Sequence, residues 1–203
     1  MPSIRLTTDA RLDRAPRVGP LELDPDAARV ELATLVALGA VAALLTTFAN
    51  FKLGIPGHHI IFAMFPLALG FALAPRRHAG SIMSGSALAT IAGLGLAGAH
   101  VPGVGVLTGL LLIGPLLDLA LRWGGAGPRL YAAFVVVGAL ANIGAFVARG
   151  LAKYFGMGGL GGGRPFAARL PVAVWTYAVA GMIAGLISAT AWFHFRSRRS
   201  TGA

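Results

Sequence analysis

The sequence predicts an all-α, polytopic membrane protein of six transmembrane helices with both termini cytoplasmic, and three observations carry that prediction. Only 12% of the 203 residues are charged, about half the share a soluble domain needs to cover its surface. The hydrophobic share is 56% and the mean hydropathy is +0.76. The apolar residues also fall into runs of about 18 or more, the length that spans a bilayer. Helices follow from the solvent, because in lipid every backbone amide must find its partner within the segment. A soluble enzyme is thereby excluded. So is a disulfide-stapled secreted domain, since the chain has no Cys.

Residues 1–28 read as a polar cytoplasmic tail. Six of the seven acidic residues lie at or before Glu31, mixed with Arg5, Arg11, Arg14, Arg17 and Arg29 and interrupted by Pro16, Pro20 and Pro25. No apolar stretch with a small-residue cleavage site follows the start, which argues against a secretory signal. The transmembrane domain then covers 29–196, with a short basic tail at 197–203. The first span runs from about Leu32 to Ala49. The second, about His59 to Ala74, contains Pro66 and is short for a full crossing. The third covers about Ala79 to Ala99 and the fourth about Gly103 to Leu121. The fifth spans about Leu130 to Ala152 and the sixth about Leu170 to Phe195.

Orientation follows from Lys and Arg. With both termini inside, twelve of the 17 cations face the cytoplasm and five (Lys52, Arg149, Lys153, Arg164, Arg169) face out, the asymmetry that orients membrane proteins. The net charge of +10 is therefore a matter of topology, and no nucleic acid partner is expected. Trp123 and Trp192 fall where amphipathic rings anchor at the inner interface.

Small residues recur at four-residue spacing: Ser81, Gly85, Ala89, Gly93 and Ala97 in the third span, Ala33 and Ala37, then Gly39 and Ala43, in the first, and Gly181 and Gly185 in the sixth. Such ladders let backbones approach closely where lipid offers no hydrophobic drive. Packing within one chain and docking of another membrane subunit, through Ala33, Ala37, Gly85, Ala89 and Gly93, both fit the spacing.

Polar groups at membrane depth are costly. Asp118 is the only acid in the helical region and stands four residues before Arg122, which predicts an interfacial ion pair. The remaining polar groups gather towards the outer side. Asn50 and Lys52 follow the first span, and His58 and His59 open the second. Asn142 and Arg149 are seven apart and share a face of the fifth. Trp175, Thr176 and Tyr177 begin the sixth. Converged, Asn50, Lys52, His58, His59, Asn142, Arg149, Trp175 and Tyr177 make a pocket of donors, cations and aromatic walls, which suits a small organic molecule, anions included. The Gly-rich stretch from Gly156 to Pro165 reads equally as a lid or a connector.

No G-x-x-x-x-G-K-[ST], H-E-x-x-H or G-x-S-x-G occurs, so neither ATP hydrolysis by a P-loop nor those hydrolytic chemistries are expected. Adjacent histidines on a helix diverge by about 100° and seldom ligate one metal together, whereas in an extended loop His58 and His59 would each be able to contribute. No metal site, cofactor or catalytic group is expected.

The six spans with both ends inside, the Ala33-x-x-x-Ala37 spacing and the stretch GIPGHHIIFAMFPLALGFALAPRRHAGSIMSG from Gly54 to Gly85 together resemble the substrate-binding S components of energy-coupling factor transporters. That stretch has the matching form: an outer loop, a Pro-containing second helix, a short basic turn and a Gly-rich third helix. The resemblance implies capture of a vitamin-like micronutrient from outside, without an ATPase of its own. It also implies partner membrane subunits, with cytoplasmic ATPases acting through a coupling subunit, in a bacterial-type inner membrane. The first-helix small residues would then meet the coupling subunit, and the pocket would lie in the outer half under the first outer loop. The family's nickel and cobalt branch relies on an N-terminal Met-His, whereas this chain starts Met1-Pro2-Ser3, which speaks against metal uptake. The other reading is a non-catalytic accessory subunit of a larger membrane complex.

Overall fold

The computed structural model describes residues 25–49, 57–74, 78–123, 127–156 and 170–201. Six helices account for them: α1 (Pro25–Phe48), α2 (Ile60–Leu73), α3 (Ala79–Leu96), α4 (Val104–Trp123), α5 (Pro128–Tyr154) and α6 (Leu170–Thr201). There is no strand among the described residues. Five of the helices are long and apolar enough to cross a membrane, and α2 is a shorter apolar helix. The chain is a multi-pass, all-α membrane protein.

Helix ends depart from the sequence expectation at the two termini. α1 begins at Pro25, so the last residues of the expected polar tail are its first turn. Proline suits that position because its missing N–H is unsatisfied there in any case. α6 continues as helix through Thr201, across the expected boundary at 197. Residues 1–24 lie outside the described residues.

The helices close a ring in the order α1, α2, α6, α5, α4, α3 and back to α1, and α2 also touches α3, α4 and α5. That position explains the length of α2. Its 14 residues rise about 21 Å, short of the ~30 Å hydrocarbon core. Yet α2 is the most enclosed helix, burying Ile60, Ala63, Met64, Pro66, Leu67, Ala68, Gly70, Phe71 and Ala72 against the other five. Around it the core is completed by Leu35, Met83, Leu110, Ile113, Leu117 and Phe134.

Glycines set the interhelical distances. A Cβ on Gly138 of α5 would collide with the Gly181 carbonyl of α6, and one on Gly181 with the Gly138 carbonyl. Gly80 of α3 and Gly114 of α4 exclude a Cβ from one another in the same way. Gly39 of α1 lies against the Met83 carbonyl of α3, where Ser86 Oγ also donates to Val36 O at 2.8 Å. This is backbone-on-backbone packing through small residues, the mode that works in lipid.

The ladders on α1 and α3 therefore split into two faces. Gly39 and Ala43 are buried within the bundle, whereas Ala33, Ala37, Gly85, Ala89 and Gly93 are exposed. A Cβ on Gly85 or Gly93 would meet nothing within 4 Å.

Asp118 does not pair with Arg122. Its two oxygens cap the start of α3 from across the α3–α4 interface, accepting from Gly80 N at 2.8 Å, Ser81 N at 2.9 Å and Ser81 Oγ at 2.6 Å. The first amides of a helix have no intrahelical acceptor and carry the positive end of its dipole, so a carboxylate beside them is better placed than one on an exposed arginine. Arg122 instead donates to the His78 ring, 3.1 Å from Nε2. His78 holds the left-handed conformation, φ 65°, that turns the chain into α3. Trp192 differs as well: its ring is buried and packs on Phe134 with centroids 6.4 Å apart. Trp123, at the end of α4, is exposed.

Candidate functional site

At the end of the bundle where α2 begins, a cavity of about 360 Å³ opens among five helices. Its wall is built from the last turn of α1 (Thr46), the turn into α2 (Gly57, His58, His59, Ile60, Ala63) and one face of α4 (Gly105, Val106, Gly109, Leu110, Ile113). Asn142, Ala145 and Arg149 of α5 and Tyr177 of α6 complete it. The volume sits at the small end of the range for ligand pockets.

Residues three, four and seven apart share a helix face, so Asn142, Ala145 and Arg149 arrive together. Asn142 is 3% exposed. Its Nδ2 donates to Gly57 O at 3.1 Å and to Tyr177 O at 2.7 Å. One buried amide thus ties the turn before α2 to α5 and α6. Gly57 is required there twice over. Its φ is +82°, a conformation other residues avoid, and a Cβ would stand 2.6 Å from Asn142 Nδ2 and 3.0 Å from Tyr177 Cδ1. Arg149, an exposed residue overall, donates through Nη1 to Tyr177 Oη at 2.9 Å. The Tyr177 ring packs on Phe146, centroids 4.9 Å apart. Gly105 leaves room for that arginine, since a Cβ would come within 3.3 Å of Nε and 2.8 Å of Ala145 O.

The two histidines are side by side, ring centroids 4.2 Å apart and tilted by 32°. They lie in a turn rather than a helix, so they do not diverge. Both rings meet Phe62 edge-on. Burial, then the neighbouring His58 and Arg149, hold the His59 imidazole below its ordinary value of 6.5. That shift favours the neutral ring. Its Nδ1 is buried with no hydrogen-bond partner among the described residues. No group of three or more His, Asp or Glu side chains converges as a metal site among the described residues.

Of the residues singled out from sequence, His58, His59, Asn142, Arg149 and Tyr177 line this one cavity. Trp175 does not. It is 67% exposed on the outer surface of α6, because two residues along a helix turn a side chain by about 200°; Tyr177 and Trp175 face opposite ways. Asn50 and Lys52 lie outside the described residues, as does the Gly-rich stretch from Met157 onward. The apolar wall on α4 was not singled out, although Gly105-x-x-x-Gly109 carries the small-residue spacing that signals a close α4–α5 approach. Gly57 likewise acquires its role only through its distant partner.

No protein-family model matches this chain, and comparisons with curated proteins and with solved structures return no match.

Proposed function

We propose that this chain is the substrate-capturing integral membrane component of a micronutrient uptake transporter, resident in a bacterial-type inner membrane and without an ATPase of its own. The observation that carries this reading is the cavity. Six polar or aromatic side chains (Thr46, His58, His59, Asn142, Arg149 and Tyr177) from four segments far apart in sequence meet at one end of a bundle whose core is mostly apolar. Polar groups are retained in a membrane domain where they serve a function. By the Lys and Arg distribution that end faces outward, where a solute is met. The pocket is mostly apolar with a few convergent polar groups, the composition of small-molecule sites.

Delivery would then rest on partner subunits, including cytoplasmic ATPases acting through an integral coupling subunit. The uncovered small-residue faces of α1 and α3, with Ala33, Ala37, Gly85, Ala89 and Gly93 exposed, support contact with such a subunit. The same faces favour the second reading, a non-catalytic accessory subunit of a membrane complex.

One experiment separates the two. The full chain is purified in detergent and bound small molecules are released by denaturation and identified by mass spectrometry. A stoichiometric solute, lost in Asn142→Leu protein that remains monodisperse, supports capture. A stable complex with other integral subunits and no solute would replace it with the accessory reading.

A further inference from the structure

We infer that the cavity selects a compact organic monoanion, a carboxylate carried on an apolar body, with Arg149 as its anchor; this rests on the solute-capture reading. Charge balance is the first argument. Beyond Glu31 the whole sequence contains one acid, Asp118. Both of its oxygens are engaged at the start of α3, at the opposite end of the bundle. Among the described residues Arg149 therefore meets no carboxylate; its hydrogen-bond partner is the Tyr177 hydroxyl. A guanidinium lining an otherwise largely apolar cavity raises the local concentration of anions, and none of the described residues supplies one.

Geometry is the second argument. Nη1 of Arg149 is held by Tyr177 Oη, which leaves the Nε and Nη2 edge as a planar pair of donors. That fork matches the two oxygens of a carboxylate. Tyr177 accepts through its oxygen and so keeps its own proton to donate. The partnerless Nδ1 of His59 is a further polar atom in the wall, and the neutral ring adds no second fixed charge beside the guanidinium. Asn142 has both amide protons engaged and offers only its Oδ1, so it is a positioning residue. Beside these polar groups, Ile60, Ala63, Leu110, Ile113 and Ala145 supply the apolar part of the same cavity.

The test uses full-length protein in zwitterionic nanodiscs and three probes sharing one body: phenylbutyrate, its primary amide and phenylbutylamine. Binding is read by saturation-transfer NMR and titration. Phenylbutyrate is expected to bind at least about tenfold more tightly than the amide or the amine, the equivalent of one charge-assisted contact. Arg149→Gln is expected to erase that preference while the amide still binds, and Arg149→Lys to recover part of it. Amide or amine binding as tight as the acid, or an acid preference surviving in Arg149→Gln, overturns the anion assignment and leaves solute capture standing. Displacement of phenylbutyrate by phosphatidylglycerol added to the nanodiscs reassigns the oxyanion to a lipid and also overturns it. If none of the probes binds and no solute is released on denaturation, solute capture falls with it.

Discussion

Asp118→Ala is the substitution whose outcome differs most between a sequence reading and the folded bundle. On sequence spacing Asp118 pairs with Arg122; in the structure it caps another helix. An exposed ion pair is worth at most about 1 kcal/mol, and that would be the cost of losing it. An N-cap side chain is worth about 0.5–2 kcal/mol. Hydrogen bonds to a charged acceptor contribute about 1.5–3 kcal/mol, and the helix dipole adds about 0.3–1 kcal/mol. Asp118 makes three such bonds at 2.6–2.9 Å while 8% exposed. These contributions overlap, so the expected loss is about 3 kcal/mol for alanine. Asparagine retains one acceptor oxygen and is expected to lose about 1–2 kcal/mol. Arg122→Ala, which among the described residues gives up only the His78 contact, should cost under about 1 kcal/mol. Reversible unfolding in mixed micelles measures all three, with the buried Trp192 as a fluorescent reporter. Arg122→Ala as costly as Asp118→Ala, or Asp118→Ala within about 0.5 kcal/mol of wild type, would refute the cross-helix cap.

Three further outcomes are expected. Gly138→Ala or Gly181→Ala forces α5 and α6 apart at a backbone contact, at a cost of about 1–3 kcal/mol; Gly85→Ala, which meets nothing, should leave the melting temperature of the isolated chain unchanged. Gly57→Ala combines a left-handed φ with a clash on Asn142. It should loosen the turn before α2, raising amide exchange across 57–60 and weakening solute retention, whereas Ala63→Gly should leave that turn protected. The depressed His59 imidazole favours the neutral ring in the folded state. The unfolded chain then binds more protons, so the stability His59 contributes is present above pH 6.5 and is lost as pH falls below that value. His59→Gln should flatten this part of a melting-temperature profile between pH 7 and pH 5, and an unchanged slope would count against a neutral, half-buried ring.

Much of this was open to reading from residues alone, for physical reasons that differ by element. A helix in lipid announces itself by length and apolarity, so five spans were legible to within a few residues at most ends. Asn142 and Arg149 could be placed on one face because helical periodicity is rigid over seven residues, and both line the cavity. The same rule, applied to Trp175 and Tyr177, already separates them by half a turn. Small-residue spacing located close approaches without saying between which helices. Gly39 is buried and Gly85 exposed, though each belongs to a ladder of the same kind.

The sequence by itself determined the solvent and the helical class, because each depends on composition and local period. Tertiary structure alone decided which side chains meet. It sent Asp118 to the start of α3 rather than to Arg122, since helix amides with no internal acceptor attract a buried carboxylate more strongly than a solvated arginine does. It brought short α2 into contact with all five other helices. And it joined Gly57, Asn142 and Tyr177, residues 85 and 35 positions apart, through one amide, a contact no local pattern encodes because it arises only when three separate segments pack.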